Sequence, residues 1–251
     1  MDVRPIPCLA DNYAYLLVRD GHAVVVDPSE APPVLAALEG LVLDAIWCTH
    51  HHWDHVGGVP GLLAKGRVPV VGGRYDSENT RIEGQSVAFD DGDTFPVFGV
   101  TAKVHAIPGH TLGAIAYEVD GHLFSGDTLF TGGCGRIFEG TPQMMRASMN
   151  TLLGLDPALR LWPGHEYTLN NLTFALHLAA EPAVEARLAD TRTRRDAGLP
   201  AIGDTLALER ATNPFLRWDA PTIRAAAARL GADPGDPDEV FAAIRHAKDR
   251  W

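Results

Sequence analysis

Five side chains able to bind a metal, four of them candidate ligands, fall within six residues of this sequence. They lie in Thr49-His50-His51-His52-Trp53-Asp54-His55, just after the apolar run Ala45-Ile46-Trp47-Cys48. In an extended chain, residues i and i+2 point to one side. His50 and His52 can therefore grip one ion while His51 points away, and Asp54 and His55, a short turn later, can reach a second. Imidazoles mixed with carboxylates suit zinc or iron better than calcium or magnesium. The competing reading is a polar loop with chance histidines, and so many donors immediately past a buried strand make that a poor account.

Three further donors repeat one context. His110 sits in Pro108-Gly109-His110-Thr111, Asp127 in Ser125-Gly126-Asp127-Thr128, and His165 in Pro163-Gly164-His165-Glu166. Each follows an apolar run and adjoins a glycine, which lets backbone approach closely. The ligand count then closes: His50, His52 and His110 for one ion, Asp54, His55 and His165 for the other, with Asp127 bridging. Each ion keeps a position for water, as catalytic sites do. Two divalent ions, two carboxylates and a bridging hydroxide leave about one positive charge, which favours an oxyanion.

These donors need strands to carry them. NYAYLLV and HAVVVD flank Asp20-Gly21, a hairpin signal, and further strands are expected at 45–49, 68–71, 94–97, 101–107, 114–119, 122–126 and 160–162. Helical patterns at 32–38 and 141–153 complete a sheet-rich α/β domain over residues 1–166. From residue 167 the strand signal fades, and 170–180, 183–197, 221–230 and 237–251 read as helices.

Composition narrows the class. The formal net charge is -11 over 251 residues, so nucleic acid is not an expected partner. The three cysteines are widely spaced with no CxxC, which fits a reducing compartment, and the cytoplasm is expected. Pro5, Pro7 and Asp11 interrupt any leader-like apolar stretch, and no run approaches the ~20 residues of a membrane span. A monomer is expected.

Taken together, THHHWDH, PGHT, SGDTLF and PGHEYT resemble the metallo-β-lactamase superfamily. DNYAYLLV, the CGRIFEGT loop, NPFLRW and the terminal IRHAKDRW narrow the resemblance to glyoxalase II, the hydroxyacylglutathione hydrolases, over nearly the whole chain. The resemblance implies an αββα sandwich in residues 1–166 and a small helical, substrate-binding domain in 167–251. It implies two divalent ions, zinc first with iron or manganese admitted, and the ligand set given above. It also implies hydrolysis of S-D-lactoylglutathione to glutathione and D-lactate by a metal-bridging hydroxide, which Asp54 helps orient.

Substrate contacts follow from the same resemblance. Arg136 matches a basic residue at the glycine end of glutathione, Tyr167 a glutathione-contacting tyrosine, and Arg245 with Lys248 the basic pair of the helical domain. On spacing alone that pair reads as a solvated terminal helix face. Phe138 departs from the pattern, since many members carry tyrosine there, and it offers packing without a hydroxyl. The alternatives are another hydrolase of the same fold, a persulfide dioxygenase, and a non-catalytic metal-binding module. A dioxygenase would use one iron and lack the helical tail, and the complete ligand set argues against the module.

Overall fold

Asp20 and Gly21 fold as the turn their chemistry requires, with φ of 53° and 83°. Two consecutive positive φ angles match the twist of the flanking strands, and Gly21 tolerates the larger one without strain. The turn joins β2 (Asn12–Arg19) to β3 (His22–Val26), preceded by β1 (Asp2–Cys8). The computed structural model describes residues 1–251. They cluster into one unit of Met1–Ala106 with Leu112–Gly126, and another of Ile107–Thr111 with Asp127–Trp251.

In the first unit the chain alternates strand and helix after β3. The order is α1 (Ala31–Ala37), β4 (Val42–Trp47), α2 (Trp53–Val56), α3 (Val59–Leu63), β5 (Val70–Gly73), α4 (Arg74–Glu78) and β6 (Val87–Phe89). These strands form one sheet in the order β1-β2-β3-β4-β5-β6. Its β1–β3 part is antiparallel, and β3 to β6 pair in parallel. β1 lies outside the strands expected from sequence because Pro5 and Pro7 interrupt its pattern. Being the edge strand, β1 leaves one side without ladder bonds to make, and proline is tolerated there.

A second, antiparallel set follows: β7 (Thr94–Val97), β8 (Val100–Ala106), β9 (Ile115–Val119) and β10 (His122–Gly126). The two sets share an aromatic core. Trp47 of β4 lies 5.1 Å from Phe95 and 4.9 Å from Tyr117, and Tyr15 of β2 lies 5.5 Å from Phe124. The Tyr117 hydroxyl donates to the Cys48 carbonyl at 2.9 Å, so a buried phenol is not left unpaired. On the other face of the first sheet, Leu16, Val25 and Ile46 pack with Val34 of α1 and Leu62 of α3.

Parallel strands leave their carboxyl ends as the natural place for a site. Here β3 and β4 finish side by side, with Asp27 N donating to Trp47 O at 2.9 Å, so Asp27 stands beside Cys48 and Thr49.

The second unit opens with the short pair β11 (Leu129–Phe130) and β12 (Gly133–Cys134), then α5 (Pro142–Leu153) and β13 (Arg160–Pro163). Helices α6 (Thr168–Leu178), α7 (Pro182–Asp196), α8 (Leu206–Thr212), α9 (Pro221–Arg229) and α10 (Pro237–Asp249) follow, with a 3₁₀ turn at Pro214–Leu216. Side-chain caps set several starts: Thr141 accepts from Met144 N, and Asp236 from Asp238 N at 2.8 Å. α8 goes beyond the sequence reading, being two turns long with too few apolar positions to show a period. A buried pair, Arg187 with Glu209, ties α7 to α8, and Glu209 also accepts from Gly132 N at 2.8 Å. No helix in the structure is long and apolar enough to cross a membrane.

Candidate active site

The loop leaving β4 carries the first group of donors. Thr49, His50 and His55 are buried, and His52 and Asp54 are partly so. His50 Nε2 lies 3.2 Å from His52 Nδ1, and the His50 and His55 rings lie 4.2 Å apart. Three imidazoles thus crowd into one small volume.

Asp27 holds two of them from behind. Its Oδ1 accepts from Thr49 N at 2.7 Å, and its Oδ2 accepts from Thr49 Oγ1 at 2.6 Å. Since the Thr49 hydroxyl gives its proton to Asp27, its oxygen can accept from His50 Nδ1, 3.1 Å away. His55 Nδ1 lies 3.1 Å from Asp27 Oδ2 and donates there. Both rings therefore carry the proton on Nδ1 and turn the Nε2 lone pair forward, the tautomer a metal ligand needs. Gly126 completes this wall: with φ of 49°, a Cβ there would stand 2.3 Å from Thr49 Oγ1. Asp54 is steadied by Asn12, whose amide donates to its carbonyl at 3.0 Å and its carboxylate at 3.1 Å.

His51 is turned elsewhere. Its Nδ1 lies 3.3 Å from Oδ1 of Asp76, a carboxylate with no exposure, and its Nε2 lies 3.4 Å from Arg81 Nη1.

His110, Asp127 and His165 meet in the second unit and are all buried. Asp127 Oδ2 lies 3.5 Å from His110 Nε2 and 3.3 Å from His165 Nε2. One carboxylate oxygen between two ring nitrogens is a donor set that suits bound cations. His110 Nδ1 donates to Arg136 O at 2.7 Å, which again leaves Nε2 as the ligand atom. The His165 ring stacks on Tyr167 at 4.6 Å with 6° between planes. In both units the residues present fit divalent transition ions by donor type and tautomer.

A cavity of about 620 Å³ opens in the second unit from His110 and Asp127. Arg136, Phe138, Tyr167, Arg245 and Lys248 all line it, so the five expected substrate contacts are gathered there. Phe138 is 62% exposed and meets the His110 ring edge-on at 5.3 Å. Arg245, which spacing alone placed on a solvated helix face, is only 4% exposed. It donates to Cys134 O at 2.7 Å and Gly135 O at 3.3 Å, and its guanidinium lies over the Phe215 ring. Lys248 donates to Asn170 Oδ1. Burial and then repulsion from Arg245 bring the Lys248 ammonium down to a pKa of about 8. Burial pushes the Cys134 thiol up, so it is a poor nucleophile.

The sequence reading did not single out Asp27, Asn12, Asn170 or Asp249. Asp27 had a signal, since it closes the apolar run HAVVVD in the same context that marked Asp127. Asn12 and Asn170 act through contacts distant in sequence, with Asp54 and Lys248, and Asp249 joins its near neighbour Arg245 to the distant Arg136.

Residues 10–165 match the family model described as the metallo-beta-lactamase superfamily, and residues 166–251 match that of the hydroxyacylglutathione hydrolase C-terminus. Hydroxyacylglutathione hydrolase from Synechococcus sp. (strain JA-3-3Ab) is 48% identical, with all of both chains covered. The enzyme of that name from Alkalilimnicola ehrlichii is 47% identical over 99% of each. Among solved structures, ETHE1 from Myxococcus xanthus superposes with a TM-score of 0.68 at 22% identity, over 98% of this chain and 91% of that one, a likeness of fold. TTHA1623 in a di-iron-bound form gives 0.60 at 28% identity, over 86% of this chain and all of that one. Full-length identity of this order, with both family models matched in tandem, places the chain in the hydroxyacylglutathione hydrolase family of the metallo-beta-lactamase superfamily.

Proposed function

We propose that the chain hydrolyses S-(2-hydroxyacyl)glutathione thioesters, converting S-D-lactoylglutathione to glutathione and D-lactate. The observation that carries this is the 48% identity, over every residue, to a hydroxyacylglutathione hydrolase. Two divalent ions are proposed as the cofactor: one held by His50, His52 and His110, the other by Asp54, His55 and His165, with Asp127 shared. Zinc is the first choice on donor chemistry, and iron and manganese suit the same set. When bound, such ions supply Lewis acidity at the thioester carbonyl and a deprotonated water near neutral pH.

The side chains supply the rest. Asp27 keeps His50 and His55 in the tautomer that faces forward. Asp54, held by Asn12, orients the attacking oxygen. Arg136 and Lys248 hold the glycine carboxylate of glutathione, Tyr167 and Phe138 flank the peptide, and Arg245 braces the Cys134–Gly135 backbone. On this reading residues 1–166 do the chemistry and residues 167–251 join Arg136 and Phe138 in holding the substrate, in a monomeric cytoplasmic enzyme. An acidic chain of net charge -11 repels an anionic substrate, so a local cluster of cations is needed where glutathione binds.

The test is turnover of S-D-lactoylglutathione by protein whose metal content has been counted. Release of free thiol with about two ions per chain is expected. A chain holding two ions that leaves the thioester intact would sink the proposal.

A further inference from the structure

Asp249, the last residue of α10, lines the same cavity and has no part in the function proposed above. Its Oδ1 lies 3.1 Å from Arg245 Nη2 and 3.4 Å from Arg136 Nε. Arg245 sits one turn earlier on α10, whereas Arg136 comes from the loop after β12. One carboxylate oxygen therefore links the helix to the loop at the cavity wall.

The two contacts are unequal. Arg245 is buried and is also anchored on two backbone carbonyls, so its position is fixed. The Arg136 side chain is 58% exposed, and its contact is longer than an ordinary charge-assisted hydrogen bond. Arg136 is thus the arm free to change partners. Asp249 engages it at one nitrogen with one oxygen, while a guanidinium can receive an incoming carboxylate on two parallel N–H groups.

We propose that Asp249 is a specificity-determining residue: a tethered carboxylate that occupies, in the free protein, the place on Arg136 taken by the substrate's glycine carboxylate. This rests on the glutathione thioester reading of the cavity. A ligand with a carboxylate at the right reach displaces Asp249 by making the better, two-pronged contact. An anion that makes a single contact does not. After the acyl group is cleaved, the returning Asp249 competes with glutathione for Arg136 and speeds product release.

The test is the Kd of glutathione, by calorimetry on the metal-loaded full chain, beside that of glutathione esterified at its glycine carboxylate. Removing a partly exposed competitor of this kind changes affinity about two- to fivefold. Asp249→Asn and Asp249→Ala are both expected to tighten glutathione by that factor and leave the ester unchanged. Arg136→Ala in the same background should abolish the gain. Weaker or unchanged glutathione binding in both variants, or equal tightening of acid and ester, overturns the proposal. The underlying reading is tested separately, because Arg136→Ala and Lys248→Ala in the otherwise native chain must weaken glutathione. If neither does, the glutathione assignment of the cavity fails whatever Asp249 does.

Discussion

Just after β4, the histidines His50 and His55 are locked from behind by Thr49 and Asp27. Asp27 holds His55 directly and His50 through Thr49, and all four residues are buried. In the cavity of the second unit, Arg136 and Lys248 are held by polar side chains that line the same cavity. Arg136 and Arg245 share Asp249, and Lys248 rests on Asn170. The first region keeps donors in one geometry whether or not anything is bound. The second keeps partners that a ligand can replace. Chemistry requires the former, and turnover of a soluble substrate the latter.

The largest effect should come from Asp127, the residue proposed to be shared by the two metal positions. Asp127→Ala is expected to lower metal content from about two ions per chain to below one. Turnover should fall on the order of 10³-fold or more, the scale of losing a main electrostatic contributor. Two ions retained in that variant would remove Asp127 from the proposed ligand set. Next comes the lock itself. Asp27→Asn replaces an acceptor facing three donors with a group that also donates, and metal affinity should fall about 10- to 100-fold. A chelator competition titration reads this directly, and an unchanged affinity would mean that the tautomers are set by other contacts.

Smaller effects belong to the cavity. Lys248→Ala should raise KM for S-D-lactoylglutathione about tenfold with less change in kcat, because a contact at the non-reacting end stabilises ground and transition states alike. The pH dependence has a definite sign. The Lys248 pKa is depressed to about 8, so the ammonium is present below that pH and lost above it. KM should therefore rise through pH 8 in the native chain and stay flat there in Lys248→Ala. A flat profile in the native chain would remove Lys248 from the binding of the carboxylate. The smallest effect is expected at Phe138. Phe138→Tyr restores one hydroxyl at an exposed position, and KM should fall about two- to tenfold, the worth of one ordinary hydrogen bond.

The contrast between the regions also governs what could be read from sequence. The candidate donors crowd into residues 50–55 or stand next to glycines after apolar runs, so they were legible as local chemistry. The hairpin at Asp20-Gly21 and the strands from β7 to β10 were legible for the same reason, since turn residues and alternation are local signals. β1 was hidden because its prolines forbid a central strand but not an edge, and position in a sheet is not a local property. Arg245 was misjudged on spacing because the Cys134 carbonyl that receives it lies 111 residues away. Asp249 shows a local partner in Arg245, four residues earlier on α10, but its link to Arg136 comes from an element 113 residues away and leaves no local signal.

Gly135 offers a last consequence. A Cβ at that position would stand 1.8 Å from the carbonyl of Asp127 and 3.2 Å from His110 Nδ1. No side chain fits there, so variation is closed at that position. Three residues on, Phe138 projects into open space from the same strip of backbone. Adaptation to a different acyl or peptide group is therefore channelled outward along this loop. Its inner edge is sterically frozen against Asp127 and His110, and its outer edge can be rewritten one residue at a time.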